Sequence, residues 1–179
     1  MFNDIIKYGR ELFLQGINNS HSGNVSCRKD NRIYITRHDA QMGDLSLKDF
    51  VAVNLDNDGK DAGASIEVKI HRAIYLANPD IKAIIHSHPP NAIVLSLNFD
   101  KITPIDAEGK YYLPEIPVVS EIERIPEMLR SSKIVLVKGH GSFAVGKDFE
   151  ETYLYTSVCE SASKILILNG IVKIGGSGC

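Results

Sequence analysis

The sequence predicts a layered α/β fold built on a mixed sheet, and three observations carry that prediction. Strand-like and helix-like segments alternate along the chain, and several neighbouring strand segments lie hairpin-close. The length of 179 residues with 44% hydrophobic content suits one core, at roughly 150 residues per domain. Residues 1–179 are therefore read as a single domain, with its core over 2–170 and a flexible Gly/Ser tail at 171–179.

Residues 2–16 place Ile5, Ile6, Tyr8, Leu12 and Phe13 at helical spacing and stop at Gly16. The Asn/Ser/Gly-rich stretch GINNSHSGNVSCRKDN (16–31) reads as a structured loop. Two β-branched runs follow, Arg32–Thr36 and Phe50–Leu55, with the turn DNDG at 56–59 after the second. Ser65 is the expected N-cap of a helix over 66–77, closed by Asn78-Pro79. Ile81–Ser87 is an apolar strand ahead of Pro89-Pro90, and a helix over 91–98 follows. The stretch 101–120, with Pro104, Pro114 and Pro117, reads as an irregular connection holding one short strand at Ile116–Val119. Glu121–Arg130 is expected as a short helix; Lys133–Val137 and Ser142–Val145 as strands flanking Gly139-His140-Gly141; and Asp148 as the cap of a helix over 149–169 that ends at Gly170.

Composition excludes several classes of function. Twenty basic against 22 acidic residues, a net charge of −2, gives no general electrostatic grip on nucleic acid or anionic membrane. Trp is absent and only 7% of residues are aromatic, which speaks against a base-stacking surface. No apolar run approaches the ~20 residues of a membrane span. The opening MFNDIIKYGRELF, interrupted by Asp4 and Lys7, does not read as a signal peptide. Cys27, Cys159 and Cys179 form no CxxC pair and are odd in number, so a reducing, cytoplasmic setting is expected.

Three histidines and one glutamate carry chemistry. In His86-x-His88, at the C-terminal end of a strand, alternation puts both imidazoles on one face with Cα atoms about 7 Å apart, a chelating spacing. His140 lies between two glycines after another strand, where the backbone can turn sharply against a ligand. Glu67 falls in the first turn of the helix preceding the HSH strand. Three neutral imidazoles with one carboxylate suit Zn²⁺ or a similar divalent ion such as Mn²⁺ or Co²⁺.

Four segments, GINNSHSGNVS (16–26), SIEVKIHRAIY (65–75), IIHSHP (84–89) and KGHG (138–141), together resemble the class II aldolase/adducin-like family over about residues 5–169. The resemblance implies a three-layer α/β/α domain with a mixed, largely antiparallel central sheet. It implies metal ligands at His86, His88 and His140, with Glu67 as fourth ligand and catalytic acid/base. Glu67, where the epimerase branch is expected to have Asp, favours the aldolase branch. Gly23 and Asn24 match positions that hold a substrate phosphate, and Ser65 with its helix N-terminus attracts an anion. His71 falls where relatives also have His, in a structural role. The implied function is a metal-dependent lyase acting on a small ketose such as a sugar phosphate, in a homotetramer with sites between subunits. Dehydration, decarboxylation or 4-epimerisation would use the same metal set, and a non-catalytic adducin-like module would not need it.

The chain also departs from the family pattern. Where relatives carry a TPTG-like motif and a Ser-Ser pair, it reads Thr36-Arg37-His38-Asp39 and Ser65-Ile66-Glu67. An Asp near a phosphate dianion is repulsive unless Arg37 or a charged His38 compensates, so a phosphorylated substrate held differently and a carboxylate or uncharged one both remain open. His38 and Asp39 are read equally as contacts or as a solvated turn. The family's proton-donating Tyr, contributed by a neighbouring subunit, has its counterpart candidates in Tyr111 and Tyr112.

Overall fold

A computed structural model of the chain describes residues 2–56 and 61–176, with side chains described as far as residue 171. The eight strands are β1 (Asn24–Lys29), β2 (Arg32–Thr36), β3 (Phe50–Asn54), β4 (Ala83–Ser87), β5 (Lys101–Ile102), β6 (Ile116–Val119), β7 (Ile134–Val137) and β8 (Gly141–Gly146). They form one sheet in the order β3-β2-β1-β4-β8-β7-β6-β5. Only β6 and β7 run parallel; every other pair is antiparallel, as expected of a mixed, largely antiparallel sheet.

Among the described residues there are six α-helices: α1 (Phe2–Leu14), α2 (Val68–Ala77), α3 (Pro90–Ser96), α4 (Ala107–Tyr112), α5 (Ile125–Met128) and α6 (Phe149–Gly176). Strand alternation sorts the core between the two faces of the sheet. Ile84, Val135, Val137, Phe143 and Val145 pack with Val68, Ile74 and Tyr75 of α2 and Ile125 of α5. Their neighbours point the other way: Ala83 and Ile85 meet Ile5 and Leu12 of α1, while Ile134, Leu136 and Ala144 meet Val158 and Cys159 of α6. The result is three layers, with α2 and α5 on one face and the remaining helices on the other.

Several sequence expectations need correction. The stretch read as a loop contains β1, which pairs with both β2 and β4; its register sets Asn24 opposite His86 and Ser26 opposite Ile84. The connection over 101–120 contains β5 and α4 as well as the expected β6. The helix expected over Glu121–Arg130 is a 3₁₀ turn, Ile122–Arg124, followed by the four-residue α5. Glu67, not Ser65, occupies the N-cap position of α2; the Ser65 hydroxyl accepts from the Glu67 N–H at 3.3 Å. Asp148 does cap α6, accepting from the Glu151 N–H at 2.8 Å. That helix runs on to Gly176 instead of ending at Gly170. Positions 57–59 of the DNDG turn, and Cys179 at the end of the tail, lie outside the described residues.

Candidate metal centre

The candidate ligands meet at one end of the sheet, where β1 begins, β4 ends and β7 turns into β8. His86 is the next-to-last residue of β4 and shares a face with Ile84, so it points toward α2 and stacks on Phe143, its register partner in β8, at a centroid distance of 4.3 Å. The His86 Nδ1–H donates to the Ser142 carbonyl at 2.9 Å. That bond fixes the tautomer and leaves the Nε2 lone pair free to bind. His88 follows the strand end, and its backbone N–H donates to Asn18 Oδ1 at 2.9 Å. His140 sits in the turn between β7 and β8, its ring parallel to His86 with centroids 5.1 Å apart.

The candidate ligand atoms of the three imidazoles all lie within 4.8 Å of one another. The Nε2 atoms of His86 and His88 are 2.9 Å apart. Two tetrahedral zinc ligands at about 2.0–2.1 Å from the ion lie about 3.3 Å from each other, a small adjustment from that spacing. Glu67 completes the group: Oε2 lies 3.2 Å from His86 Nε2, and Oε1 lies 3.4 Å from His140 Nε2. Three imidazole nitrogens and a carboxylate fit a borderline divalent ion.

Two glycines permit this closeness. A Cβ on Gly141 would stand 2.5 Å from the Ser87 carbonyl and 3.0 Å from His86 Cε1. Gly23 has φ +78°, and a Cβ there would meet both Asn18 Nδ2 and the His86 carbonyl at 2.6 Å. Loop 61–67 is held to α2 by Arg72, whose guanidinium grips Asp61 through two bonds of 3.0 and 2.7 Å and donates to the Asn54 carbonyl.

Electrostatics separate the four candidate ligands. Burial pushes the Glu67 carboxyl up, but the hydrogen bond from His140, the charge of His86 and a 2.5 Å bond from Asn24 Nδ2 outweigh it and bring it down to about 2. Burial depresses His86 to about 3 and lowers His88, which keeps both imidazoles neutral and ready to ligate. His140, tied to Glu67, is raised instead.

His86, His88, His140 and Glu67 open onto a cleft of about 190 Å³. Of the residues expected to contact substrate, Gly23, Asn24, Ser65, His38 and Asp39 all line it. Asn24, expected to contact a phosphate, donates to Glu67 within one chain. Tyr111 and Tyr112 do not line the cleft; they lie in α4, where Tyr111 is 80% exposed and Tyr112 packs beside Tyr155 and Val158 of α6. Sequence reasoning missed His21, Ser22 and Ala40 in the lining, and Asn18 and Ser142 behind it. Ser142 acts through its backbone carbonyl, which no sequence pattern marks. His71 is fully buried with Nδ1 2.7 Å from Ser26 Oγ, in keeping with the structural role expected of it.

The family model "Class II Aldolase and Adducin N-terminal domain" matches residues 3–167. An L-fuculose phosphate aldolase of Methanocaldococcus jannaschii is 30% identical over 174 residues, covering 94% of this chain and 96% of that protein. A 3-oxo-tetronate 4-phosphate decarboxylase of Haemophilus influenzae is 28% identical, covering 90% of this chain and 84% of its own length. The crystal structure of L-fuculose-1-phosphate aldolase from Thermus thermophilus superposes with a TM-score of 0.93 at 30% identity, covering 99% of this chain and 96% of that one. The chain belongs to the class II aldolase and adducin N-terminal domain family.

Proposed function

We propose that the chain is a divalent-metal-dependent aldolase, a carbon–carbon lyase that cleaves or forms a C–C bond in a small ketose, a sugar phosphate such as L-fuculose 1-phosphate. The observation that carries this reading is the convergence of His86, His88 and His140 within 4.8 Å, with the Glu67 carboxylate against two of them. His86, His88, His140 and Glu67 are the ligands of Zn²⁺, with Mn²⁺ or Co²⁺ as substitutes. The bound ion supplies Lewis-acid stabilisation of the negative charge that develops beside a carbonyl when the C–C bond breaks, worth several kcal/mol.

Glu67 is the catalytic acid/base. Its carboxylate, set against the imidazoles of His86 and His140, takes and returns the proton at the carbon beside the carbonyl. Asn24 holds one carboxylate oxygen, so the other keeps its orientation toward the ligand cluster. Gly23, Asn24 and Ser65 bind the substrate's anionic group, helped by the N-terminus of α2; His38 and Asp39, which line the same cleft, contact the substrate beside them. Tyr111 or Tyr112 of a neighbouring copy gives a proton to the aldehyde oxygen when the C–C bond forms and takes it back in cleavage, which accords with the strong exposure of Tyr111.

The active form is a homotetramer with sites between subunits. A cleft of about 190 Å³ is small beside the ~300 Å³ or more usual for small-molecule sites, as a site completed by a second copy would be. Ile165, Leu168 and Ile171 of α6 are exposed and apolar, suited to such a contact. Among the described residues no helix is long and apolar enough to cross a membrane. The buried free thiols of Cys27 and Cys159 suit a reducing cytoplasm.

The test is metal analysis of the purified protein, followed by retro-aldol assays on L-fuculose 1-phosphate and other ketoses, phosphorylated or not. Aldehyde release that stops with chelator and returns with Zn²⁺ is the expected result. A second reading, decarboxylation of a 3-oxo sugar-acid phosphate, is favoured by the Haemophilus influenzae relative. CO₂ release without aldehyde would select it over the aldolase reading. Dehydration or 4-epimerisation by the same metal set would yield neither product.

A further inference from the structure

α3 begins two residues after His88, and its first turn has no side-chain cap of its own. Pro89 and Pro90 carry no N–H, so the first available donors are those of Asn91 and Ala92. Both turn to Glu160, in the middle of α6. The Asn91 N–H donates to Glu160 Oε2 at 3.0 Å, its side-chain amide to Oε1 at 2.6 Å, and the Ala92 N–H to Oε2 at 3.2 Å. Among the described residues Glu160 makes no ion pair. Its negative charge is met by these amides and by the positive end of the α3 dipole.

The other end of α3 reaches the third histidine. Ser96 Oγ donates to the Ile93 carbonyl at 2.7 Å and accepts the Gly139 N–H at 3.0 Å, one residue before His140. α3 is therefore a strut between two ligand-bearing segments, joined covalently to His88 and by hydrogen bond to the turn of His140. The position of that strut is set from α6, by a residue that does not line the cleft.

We propose that Glu160 is a positioning residue: through α3 it fixes the separation of His88 and His140, and with it the affinity of the site for a divalent ion. The inference rests on the metal reading of the triad. Zn²⁺ dissociation constants from chelator competition and Co²⁺ absorption spectra, measured on the full chain, test it in wild type, Glu160→Ala, Glu160→Gln and Ser96→Ala. Loss of a group bonded directly to a metal ligand weakens binding about 10–100-fold; Glu160 acts through α3, so a weakening of up to about 10-fold is expected for Glu160→Ala, with an altered Co²⁺ band. Glu160→Gln keeps one acceptor oxygen and the side-chain shape, so its affinity is expected to fall between those of wild type and Glu160→Ala. Ser96→Ala, which frees Gly139, is expected to weaken binding in the same direction.

A helix cap with no bearing on the metal would lower the melting temperature and leave the Zn²⁺ constant and Co²⁺ band at wild-type values; that result overturns the proposal. Should Glu160→Ala fail to fold, Glu160→Gln and Ser96→Ala decide by the same criterion. A wild-type protein that takes up neither ion overturns the metal reading and this inference with it.

Discussion

His71 makes the fold sensitive to acid. Its ring is fully buried between α2 and the sheet, beside Ser26 and edge-on to Phe143, and its Nε2 has no partner. Burial depresses the imidazole from 6.5 to about 4, against a smaller upward pull from Glu67. Between those two values the unfolded chain binds a proton that the folded chain refuses. Stability is therefore complete above pH 6.5 and falls as pH drops toward 4. At 1.36 kcal/mol per unit the full effect is about 3 kcal/mol, of which about 2 kcal/mol falls between pH 7 and pH 4.5. Urea unfolding of wild type and His71→Leu at those two pH values, with chelator present, measures it; His86 and His88, shared by both proteins, cancel in the comparison. Wild type is expected to lose about 2 kcal/mol more than the variant. Equal losses would refute the reasoning, since the acid sensitivity would then come from other groups.

Two further outcomes follow from the site. Glu67→Gln keeps the shape and removes the base, so kcat is expected to fall by about 10²–10⁴ while Zn²⁺ still binds through three histidines. Steady-state rates with a parallel metal titration check this, and a kcat near wild type would remove Glu67 from the proton transfer. Gly141→Ala forces a methyl into the space of the Ser87 carbonyl and His86 Cε1, and is expected to weaken Zn²⁺ uptake and to cost about 1–3 kcal/mol of stability. A thermal melt and a zinc titration read the two effects; normal uptake would mean the turn relaxes without moving His86.

The legible parts of the sequence were those whose signal is local. His86 and His88 end an apolar strand ahead of two prolines, and His140 is framed by glycines, so residue type and spacing, together with the family resemblance, point to a shared cation. β1 was hidden because its inward residues include Asn24 and Ser26, polar side chains bonded to Glu67 at the start of α2 and to His71 and Tyr75 on it. Polar alternation next to an Asn/Ser/Gly segment reads as loop until those distant partners are known. β5, two residues long, and α4, six residues long, fall below the length at which periodicity can be counted. The N-cap of α2 shifted from Ser65 to Glu67 because Glu67 is held by contacts to Asn24 and His140, which a capping rule does not weigh.

The central claim is that four side chains share one ion, and X-ray absorption at the zinc edge of the zinc-loaded protein tests it most directly. The expected spectrum shows one ion per chain with three imidazole nitrogens at about 2.0–2.1 Å and at least one oxygen ligand. A spectrum with fewer than three imidazoles, or zinc uptake undiminished after His86, His88 and His140 are all replaced by alanine, would contradict it.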